Sequence, residues 1–234
     1  MAARLAIVFA ICNGTDYRGS PPIQQIKRMD GALDCCFGAN RSNVRVLSTG
    51  FPQGDTVGGL HLDDVPPLAF HPRYTNDNEH LWVNDHVQHR YDGACTLTKF
   101  HAWNLTNLDA VAVLDSDICL HNLASFWNAL ANFSQSSQPF AANYERANRR
   151  YRGFSTRIMF LKPSPAIFKV LIDKAASGDF LPYTNTEQDV IETVFSPSVH
   201  AMHMPRHVHA KGCTCKNDTS GKSQKNDTSG KSQG

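Results

Sequence analysis

The sequence predicts a single α/β domain, with a mixed, mostly parallel central sheet flanked by helices. The run of small and β-branched residues from Ala110 to Leu114 is typical of a strand buried on both faces, as in parallel sheets. Apolar stripes with helical spacing lie on either side of this run. The chain has 234 residues, of which 41% are hydrophobic and 19% charged, so it is long enough for one full core.

The N-terminal third of the chain predicts two strands and a helix. The apolar run from Leu5 to Cys12 predicts a buried first strand. Pro21 to Met29 predicts the start of a helix, with Ile23 and Ile26 facing inward. Alternating residues from Asn43 to Ser48 predict a second strand.

Two carboxylates, Asp115 and Asp117, follow the Ala110 to Leu114 strand directly. Ligands of open α/β sheets lie outside the carboxyl ends of strands. In extended backbone, an Asp-x-Asp spacing places both side chains on one side, where they repel each other unless a cation lies between them. Such hard oxygen ligands suit Mg²⁺ or Mn²⁺, which share their coordination shell with substrate phosphates. The pattern indicates a divalent ion that holds a diphosphate; a turn or helix cap is the alternative.

Predicted helices lie on both sides of this strand and its acidic pair. Before the strand, Leu97, Phe100 and Trp103 have helical spacing. After it, Asn122 is a predicted N-cap. The apolar stripe of this second helix consists of Leu123, Phe126, Trp127 and Leu130.

The C-terminal half predicts two more strands and a capped helix. The strands are Phe140 to Tyr144 and Arg157 to Leu161. Ser164 is a predicted N-cap with Pro165 at the first helical position, and Gly178 ends the helix. The inner face of this helix is expected to carry Ile167, Val170 and Leu171.

The segment TLTKFHAWNLTNLDAVAVLDSDICLHNLASF, from Thr96 to Phe126, resembles the glycogenin-like members of glycosyltransferase family 8. The order and spacing of its Thr-Lys, Trp, Leu-Thr, strand, Asp-x-Asp and Asn-Leu carry the resemblance. It implies a nucleotide-sugar transferase of the GT-A, Rossmann-like fold. By this resemblance, the Asp115-Ser116-Asp117 motif binds the donor, with both aspartates holding Mn²⁺ (or Mg²⁺) against its diphosphate, and Lys99 contacts that diphosphate.

Two further segments resemble donor-binding elements of the family. The stretch from Asn13 to Tyr17 is similar to its nucleotide-holding segment, which implies that Tyr17 packs on the uracil and that Asn13 or Asp16 contacts the nucleotide; a plain loop is the alternative. The segment GFSTRIMFLKPSP resembles a second element. In it, Ser155 stands where the family has an Asn that contacts the donor sugar, and Arg157 stands where the family has Gly.

The remaining site residues also come from the resemblance. Glu187 and Gln188 match an Asp-Gln pair near the reacting sugar carbon, so they are the candidate catalytic residues. Thr186 is a predicted N-cap there, and acidic residues favour a first helical turn, so a purely structural role for Glu187 and Asp189 is the alternative. His209 is the candidate third metal ligand, with His203 and His207 as rivals. The family's terminal Lys-Pro-Trp is missing from this chain.

The resemblance implies transfer of a hexose from a UDP-sugar to a hydroxyl of an unknown glycan or protein acceptor, with retention of anomeric configuration. Two alternatives remain. One is a degenerate protein that binds nucleotide sugars without transferring them, favoured by Ser155, Arg157 and the missing terminal motif. The other is a phosphatase of the haloacid dehalogenase type with Asp115 as nucleophile.

The composition and charge indicate neither a nucleic-acid partner nor a membrane-spanning segment. The net charge is +2, and the body of the chain balances once the four Lys and two Asp of the tail are removed, which indicates no nucleic-acid surface. No apolar segment reaches the roughly 20 residues that span a membrane, so we expect no stable membrane insertion. Residues 1–215 form the predicted domain. Residues 216–234 contain KNDTSGKSQ twice and are expected to be disordered.

The seven cysteines do not predict a disulfide framework, because their number is odd, two are adjacent and the chain is long. We therefore expect reduced thiols and a cytoplasmic location, with the secretory lumen as the alternative if the N-terminus is a signal peptide. The Asn-x-Ser/Thr sequons are read as chance unless the protein is secreted. They begin at Asn13, Asn40, Asn104, Asn132, Asn217 and Asn226.

Overall fold

The computed structural model describes residues 3–14, 21–37, 40–73, 92–148, 151–200 and 207–209. Tyr17, Asp16, His203 and the predicted tail 216–234 lie outside these residues. In the part of the chain that is described, no helix combines the length and the apolar character needed to cross a membrane.

The described elements alternate between strands and helices along the chain. The strands are β1 Leu5–Cys12, β2 Val44–Thr49, β3 Thr56–Val57, β4 Leu60–Asp64, β5 Ala110–Leu114, β6 Ile118–Leu120, β7 Phe140–Asn148, β8 Tyr151–Leu161 and β9 His207–His209. The helices are α1 Pro22–Phe37, α2 Gly93–Thr96, a 3₁₀ helix Leu97–Asn104, α3 Leu123–Gln135, α4 Pro165–Ser177, α5 Glu187–Val194 and α6 Pro197–His200.

A seven-stranded sheet with the order β3-β4-β2-β1-β5-β8-β7 forms the centre of the fold. The four strands β4, β2, β1 and β5 are mutually parallel, whereas β3, β8 and β7 each pair antiparallel with a neighbour. The predicted class, a mixed and mostly parallel α/β sheet flanked by helices, is confirmed. A separate pair, β6 with β9, lies beyond the end of β5.

The core covers both faces of the sheet, and β5 shows this directly. Ala110, Ala112 and Leu114 pack into the cluster shared with α1 and α3. Val111 and Val113 pack into the cluster shared with the 3₁₀ helix, α4 and α5. All five residues are fully buried, which explains why the run has no polar alternation.

Local capping chemistry is confirmed at four helix ends. Asn122 accepts a hydrogen bond from the Ser125 amide at 2.9 Å, and Ser164 caps α4 with Pro165 at its first position. Gly178 ends α4 in the left-handed region, with φ of 72°. Thr186 caps α5 by accepting from the Gln188 amide at 3.3 Å.

The prediction that Ile23 and Val170 face inward is wrong. Ile23 is 54% exposed and Val170 is 43% exposed. Met29 is one of the buried residues of α1. Ile23 lies six residues before Met29, which is about 1.7 helical turns, so Ile23 does not share the buried face of the helix. In α4 the buried pair is Leu171 with Ala175, one turn apart, and Val170 is rotated away from that stripe.

The expectation of reduced thiols is also wrong for two cysteine pairs. Cys12 is joined to Cys95, with their Cα atoms 5.5 Å apart, and Cys36 is joined to Cys119, with their Cα atoms 5.9 Å apart. Both Cα separations lie in the range of disulfides. Each pair is separated by 83 residues in sequence, so spacing along the chain could not reveal which cysteines the fold brings together.

Candidate functional site

The acidic motif forms a turn at the carboxyl end of β5. The Asp115 amide donates to the Arg157 carbonyl of β8 at 2.9 Å, and the Ile118 amide donates to the Asp115 carbonyl at 3.1 Å. The expected extended Asp-x-Asp backbone is therefore wrong, because the chain turns to enter β6. Asp115, Ser116 and Asp117 all remain partly exposed. The negative charge of Asp117 helps to raise the pKa of Asp115, so the two carboxylates interact across this turn.

A buried lysine joins this turn to two other elements. Lys99, from the 3₁₀ helix, places its Nζ 2.5 Å from Asp115 Oδ1 and 2.6 Å from Glu187 Oε1 of α5. The same Nζ donates to the Thr156 carbonyl of β8 at 3.3 Å. These three acceptors match the three N–H groups of an ammonium. Lys99 is 7% exposed and Glu187 2%, so the connection is made away from solvent.

The pKa values of Lys99 and Asp115 are shifted by burial and by the charges around them. Burial by itself lowers the pKa of Lys99, but the attraction of Asp115 and Glu187 outweighs burial, and the pKa of the ammonium is raised. Burial raises the pKa of the Asp115 carboxyl, Lys99 opposes that rise, and Glu187 adds to it. The Asp115 side chain is 30% exposed, so its burial is partial.

Glu187 is held by a hydrogen-bond network as well as by Lys99. Its carboxylate accepts from Thr156 Oγ1 at 2.9 Å, and its amide donates to Thr96 Oγ1 at 3.1 Å. Gln188, 8% exposed, brings its Oε1 to 3.5 Å from Thr156 Oγ1. The two candidate catalytic residues therefore lie beside Lys99 in the same buried cluster, at the first turn of α5.

Asp189 has the structural role that was the alternative for the first turn of α5. Its carboxylate accepts from the amides of Tyr183, Thr184 and Asn185, at 2.7, 2.9 and 2.8 Å, and from the Thr184 hydroxyl at 2.8 Å. Burial raises the pKa of Asp189 to about 6, although these donors favour the ionised form. Apart from the acidic residue itself, no sequence pattern predicts this network.

The Asp189 network fixes the loop that leads into α5. Asn185 adopts a positive φ of 51° and exchanges two hydrogen bonds with the Arg73 backbone, at 2.9 and 2.8 Å. Because Asn is one of the few residues that adopt the left-handed region readily, this residue type suits the position. The loop is thereby joined to the segment that precedes residue 74.

The predicted nucleotide segment begins at the same edge of the sheet. β1 and β2 are parallel to β5, so their carboxyl ends lie on the side of the acidic turn. Asn13 follows β1, is exposed, and donates from Nδ2 to the Gly50 carbonyl at 2.9 Å. Beside it, Thr49 Oγ1 at the end of β2 lies 3.2 Å from Thr98 Oγ1, next to Lys99.

Ser155 and His209 are placed by strand pairing. Ser155 is opposite Asn143 of β7, next to an irregularity of the ladder, and is partly exposed. The backbone of His209 pairs with Ile118, the residue after Asp117, and the backbone of His207 pairs with Leu120. The candidate third metal ligand therefore belongs to a strand that adjoins the acidic turn.

The donor set of the turn has the chemistry of a divalent-cation site, although it is incomplete among the described side chains. No three His, Cys, Asp or Glu side chains within the described ranges are grouped to hold a metal ion. Asp115 and Asp117 supply hard carboxylate oxygens of the kind that Mg²⁺ and Mn²⁺ prefer.

Comparison with proteins of known structure supports the architecture. The glycosyltransferase GlyE of Streptococcus pneumoniae TIGR4 matches 86% of this chain and 46% of its own, with 16% identity and a TM-score of 0.51. The galactosyltransferase LgtC, in complex with donor and acceptor sugar analogs, matches 84% of this chain and 72% of its own, with 15% identity and a TM-score of 0.52. The chain has the GT-A fold.

The likeness to GlyE and LgtC concerns the fold. The chain spans less than half of the length of GlyE. No family model and no curated protein matches the sequence. At these identities, the similarity to GlyE and LgtC concerns the fold, so membership of glycosyltransferase family 8 stays a prediction. Within the GT-A fold, the acidic turn lies at the carboxyl ends of the parallel strands, where open α/β sheets bind ligands.

Proposed function

We propose that the protein is a metal-dependent glycosyltransferase that moves a hexose from a UDP-sugar to a hydroxyl of a glycan or protein acceptor. The observation that carries the proposal is the acidic turn of a GT-A fold, with Asp115 joined through Lys99 to Glu187. A fold shared with glycosyltransferases supports the reaction class. The partly exposed carboxylates of Asp115 and Asp117 are of the kind that Mg²⁺ and Mn²⁺ prefer, which supports a cation.

In this proposal, Asp115 and Asp117, with His209 as the third ligand, hold Mn²⁺ or Mg²⁺. The bound ion would supply positive charge beside the diphosphate that leaves the donor sugar. Lys99 opposes the rise that burial causes in the pKa of Asp115 and fixes one of its oxygens, so the carboxylate is oriented before the donor binds. Lys99 is thus a positioning residue, and its direct contact with the diphosphate stays a prediction.

The remaining residues of the chain bind and orient the donor. Asn13 and Tyr17 hold the nucleotide, Ser116 contributes from the acidic turn, and Ser155 contacts the sugar. Gln188 lies at the start of a fixed α5, where its amide suits a contact with sugar hydroxyls, and Glu187 is held beside it by Lys99 and Thr156. Such prior fixation lowers the entropic cost of reaching the reactive arrangement.

In the reaction, the acceptor oxygen attacks the anomeric carbon, and the bond from that carbon to the diphosphate oxygen breaks. The proton of the acceptor hydroxyl passes to the departing diphosphate. Retention of anomeric configuration, which the family resemblance implies, requires attack from the face that the diphosphate leaves.

The decisive experiment measures thermal stabilisation by UDP after treatment with EDTA. Without metal, UDP should leave Tm unchanged. With added Mn²⁺ and UDP at about 100 times its dissociation constant, the stabilisation should be about 2.7 kcal/mol, or roughly 5–10 °C for a chain of this size. Equal stabilisation with and without Mn²⁺ would contradict the proposal.

The variant Asp117→Ala should abolish the response to Mn²⁺ and UDP. The matched control is Asp109→Ala, which removes an exposed carboxylate at the other end of β5, where it pairs with Arg4 at 2.9 Å. This control should respond like the natural protein, because a surface ion pair contributes little to stability.

The two alternatives predict different outcomes, and the GT-A fold favours neither. A degenerate binder would show the metal-dependent stabilisation but no hydrolysis of UDP-sugars in an acceptor-free assay. A phosphatase would hydrolyse simple phosphate esters and form a trapped aspartyl-phosphate at Asp115.

A further inference from the structure

We propose that Asn40, Asn104 and Asn132 carry N-linked glycans, added in an oxidising compartment where Cys12–Cys95 and Cys36–Cys119 form disulfides. The inference is independent of the proposed transferase activity. It combines two observations of different kinds: the cysteine pairs of the fold and the position of the sequons on the molecule.

The cysteine pairs point to the compartment. Disulfides persist in oxidising environments and are rare where thiols are kept reduced. One pair connects the end of β1 to α2, and the other connects α1 to β6. Each pair therefore joins two elements of the domain that are distant in sequence.

The sequon asparagines are available on the surface. Asn40, Asn104 and Asn132 are all exposed. Asn40 lies between α1 and β2, where Ser42 Oγ of the same sequon donates to Asn40 Oδ1 at 3.4 Å. Asn104 ends the 3₁₀ helix, and its carbonyl accepts from the Thr106 amide at 2.9 Å, in an exposed turn. Such surface turns suit the attachment of a bulky, soluble glycan.

These three sequons share one end of the molecule, opposite the acidic turn. Asn40 precedes the amino end of β2, and Asn104 precedes the amino end of β5. Asn132 lies in the last turn of α3, which leads to the start of β7; there Phe140 and Val111 of β5 both pair with Leu161. β1 alone has eight residues, or roughly 26 Å of strand, so glycans at this end leave the opposite edge open.

The remaining sequon asparagine within the described residues, Asn13, lies at the opposite end of the sheet. Asn13 follows the carboxyl end of β1, on the side of the acidic turn, and its Nδ2 already donates to the Gly50 carbonyl. A glycan needs this same nitrogen, and its attachment would compete with this hydrogen bond. Asn13 is therefore expected to stay unmodified and serves as an internal control.

Glycan attachment and disulfide formation are both covalent reactions of this chain's side chains. In glycan transfer, a bond forms between asparagine Nδ2 and the anomeric carbon of a lipid-linked oligosaccharide diphosphate, the bond from that carbon to the diphosphate breaks, and the amide loses one proton. Each disulfide forms when two thiols lose two electrons and two protons to a dithiol-disulfide oxidoreductase of the compartment.

The test expresses the full chain in eukaryotic cells twice, once behind a cleavable secretion signal and once in the cytosol. The secreted chain, carrying Asn217→Gln and Asn226→Gln to remove the two tail sequons, should show three steps of electrophoretic mobility that a peptide-N-glycosidase removes, with deamidated Asn40, Asn104 and Asn132 after digestion. Non-reducing peptide maps should contain the Cys12–Cys95 and Cys36–Cys119 links. Reduction should lower Tm by roughly 5 °C or more.

Matched variants assign each step to one site. Thr106→Ala should remove one mobility step, whereas Thr106→Ser, which keeps the sequon, should leave all three. Ser42→Ala and Ser134→Ala should each remove one further step. A secreted chain with unmodified asparagines at these positions, a glycan on Asn13, or a reduced cytosolic chain as stable as the secreted one would overturn the proposal.

Discussion

Replacing Lys99 with methionine tests the centre of the candidate site. The substitution keeps a flexible chain of similar length but removes the ammonium that lies 2.5 Å from Asp115 and 2.6 Å from Glu187. Breaking a buried ion pair by removing one partner costs about 3–5 kcal/mol, because the other charge stays buried without compensation. For a chain of this size, we expect Tm to fall by roughly 6–20 °C.

The pH dependence of the stability lost in Lys99→Met identifies the cause of that loss. Burial already holds the pKa of Asp115 above its ordinary value of 3.8, and Lys99 is the main opposing influence. Without Lys99, that pKa rises further, so the folded variant binds a proton more tightly than the unfolded chain. The stabilisation that protonation supplies is complete below pH 3.8 and is lost as pH rises through the higher, folded pKa. Lys99→Met should therefore be closer to the natural protein at pH 5 than at pH 8.

Urea unfolding at pH 5 and pH 8 measures both effects. Lys169→Met is the matched control, because Lys169 pairs with Asp173 at 2.8 Å on the surface of α4, with 73% of its side chain exposed. This control should lose no more than about 0.5 kcal/mol at either pH. A Lys99→Met variant within 1 kcal/mol of the natural protein at pH 8, or equally destabilised at both pH values, would refute the role given to the buried ammonium.

Four other substitutions test the loop before α5 and the helices α1 and α4. Asp189→Ala should cost about 3 kcal/mol or more in urea unfolding, since four buried donors lose their acceptor, and an unchanged midpoint would contradict the network. Asp189→Asn should also flatten the part of the pH–stability curve that the Asp189 carboxyl contributes, which falls as pH rises through about 6. Gly178→Ala should cost about 1–2 kcal/mol, because φ is 72° and the new Cβ would lie 3.0 Å from His71 Cδ2. Gly31→Ala, where nothing lies within 4 Å, should instead stabilise α1 by about 0.5–1 kcal/mol.

Local features of the chain were predictable because their causes are local. The bounds of β1 and β5 agree with the apolar runs from Leu5 to Cys12 and from Ala110 to Leu114, since turn residues follow each run directly. The N-caps at Asn122 and Thr186 follow from side chains that accept bonds from amides two or three residues away. These interactions need no knowledge of the rest of the fold.

Long-range contacts were not predictable in this way. The Lys99–Glu187 ion pair joins residues 88 apart, and both disulfides join residues 83 apart. The resemblance assigned Lys99 to the donor diphosphate, but the folded chain surrounds its ammonium with three acceptors of its own. The turn at Asp115 was missed for a related reason, because the pairing of β6 with β9 is what draws the chain away from the β5 direction.

The electrostatics of the site connect these long-range contacts to the proposed activity. Burial raises the pKa of Asp115, and the repulsion of Glu187 and Asp117 adds to that rise against the attraction of Lys99. Such repulsion lowers the stability of the folded chain unless a cation binds. Among the described residues, Lys99 and Glu187 are buried whereas Asp115 and Asp117 are partly exposed, so the turn is the part of this cluster that the proposed cation and donor diphosphate would reach.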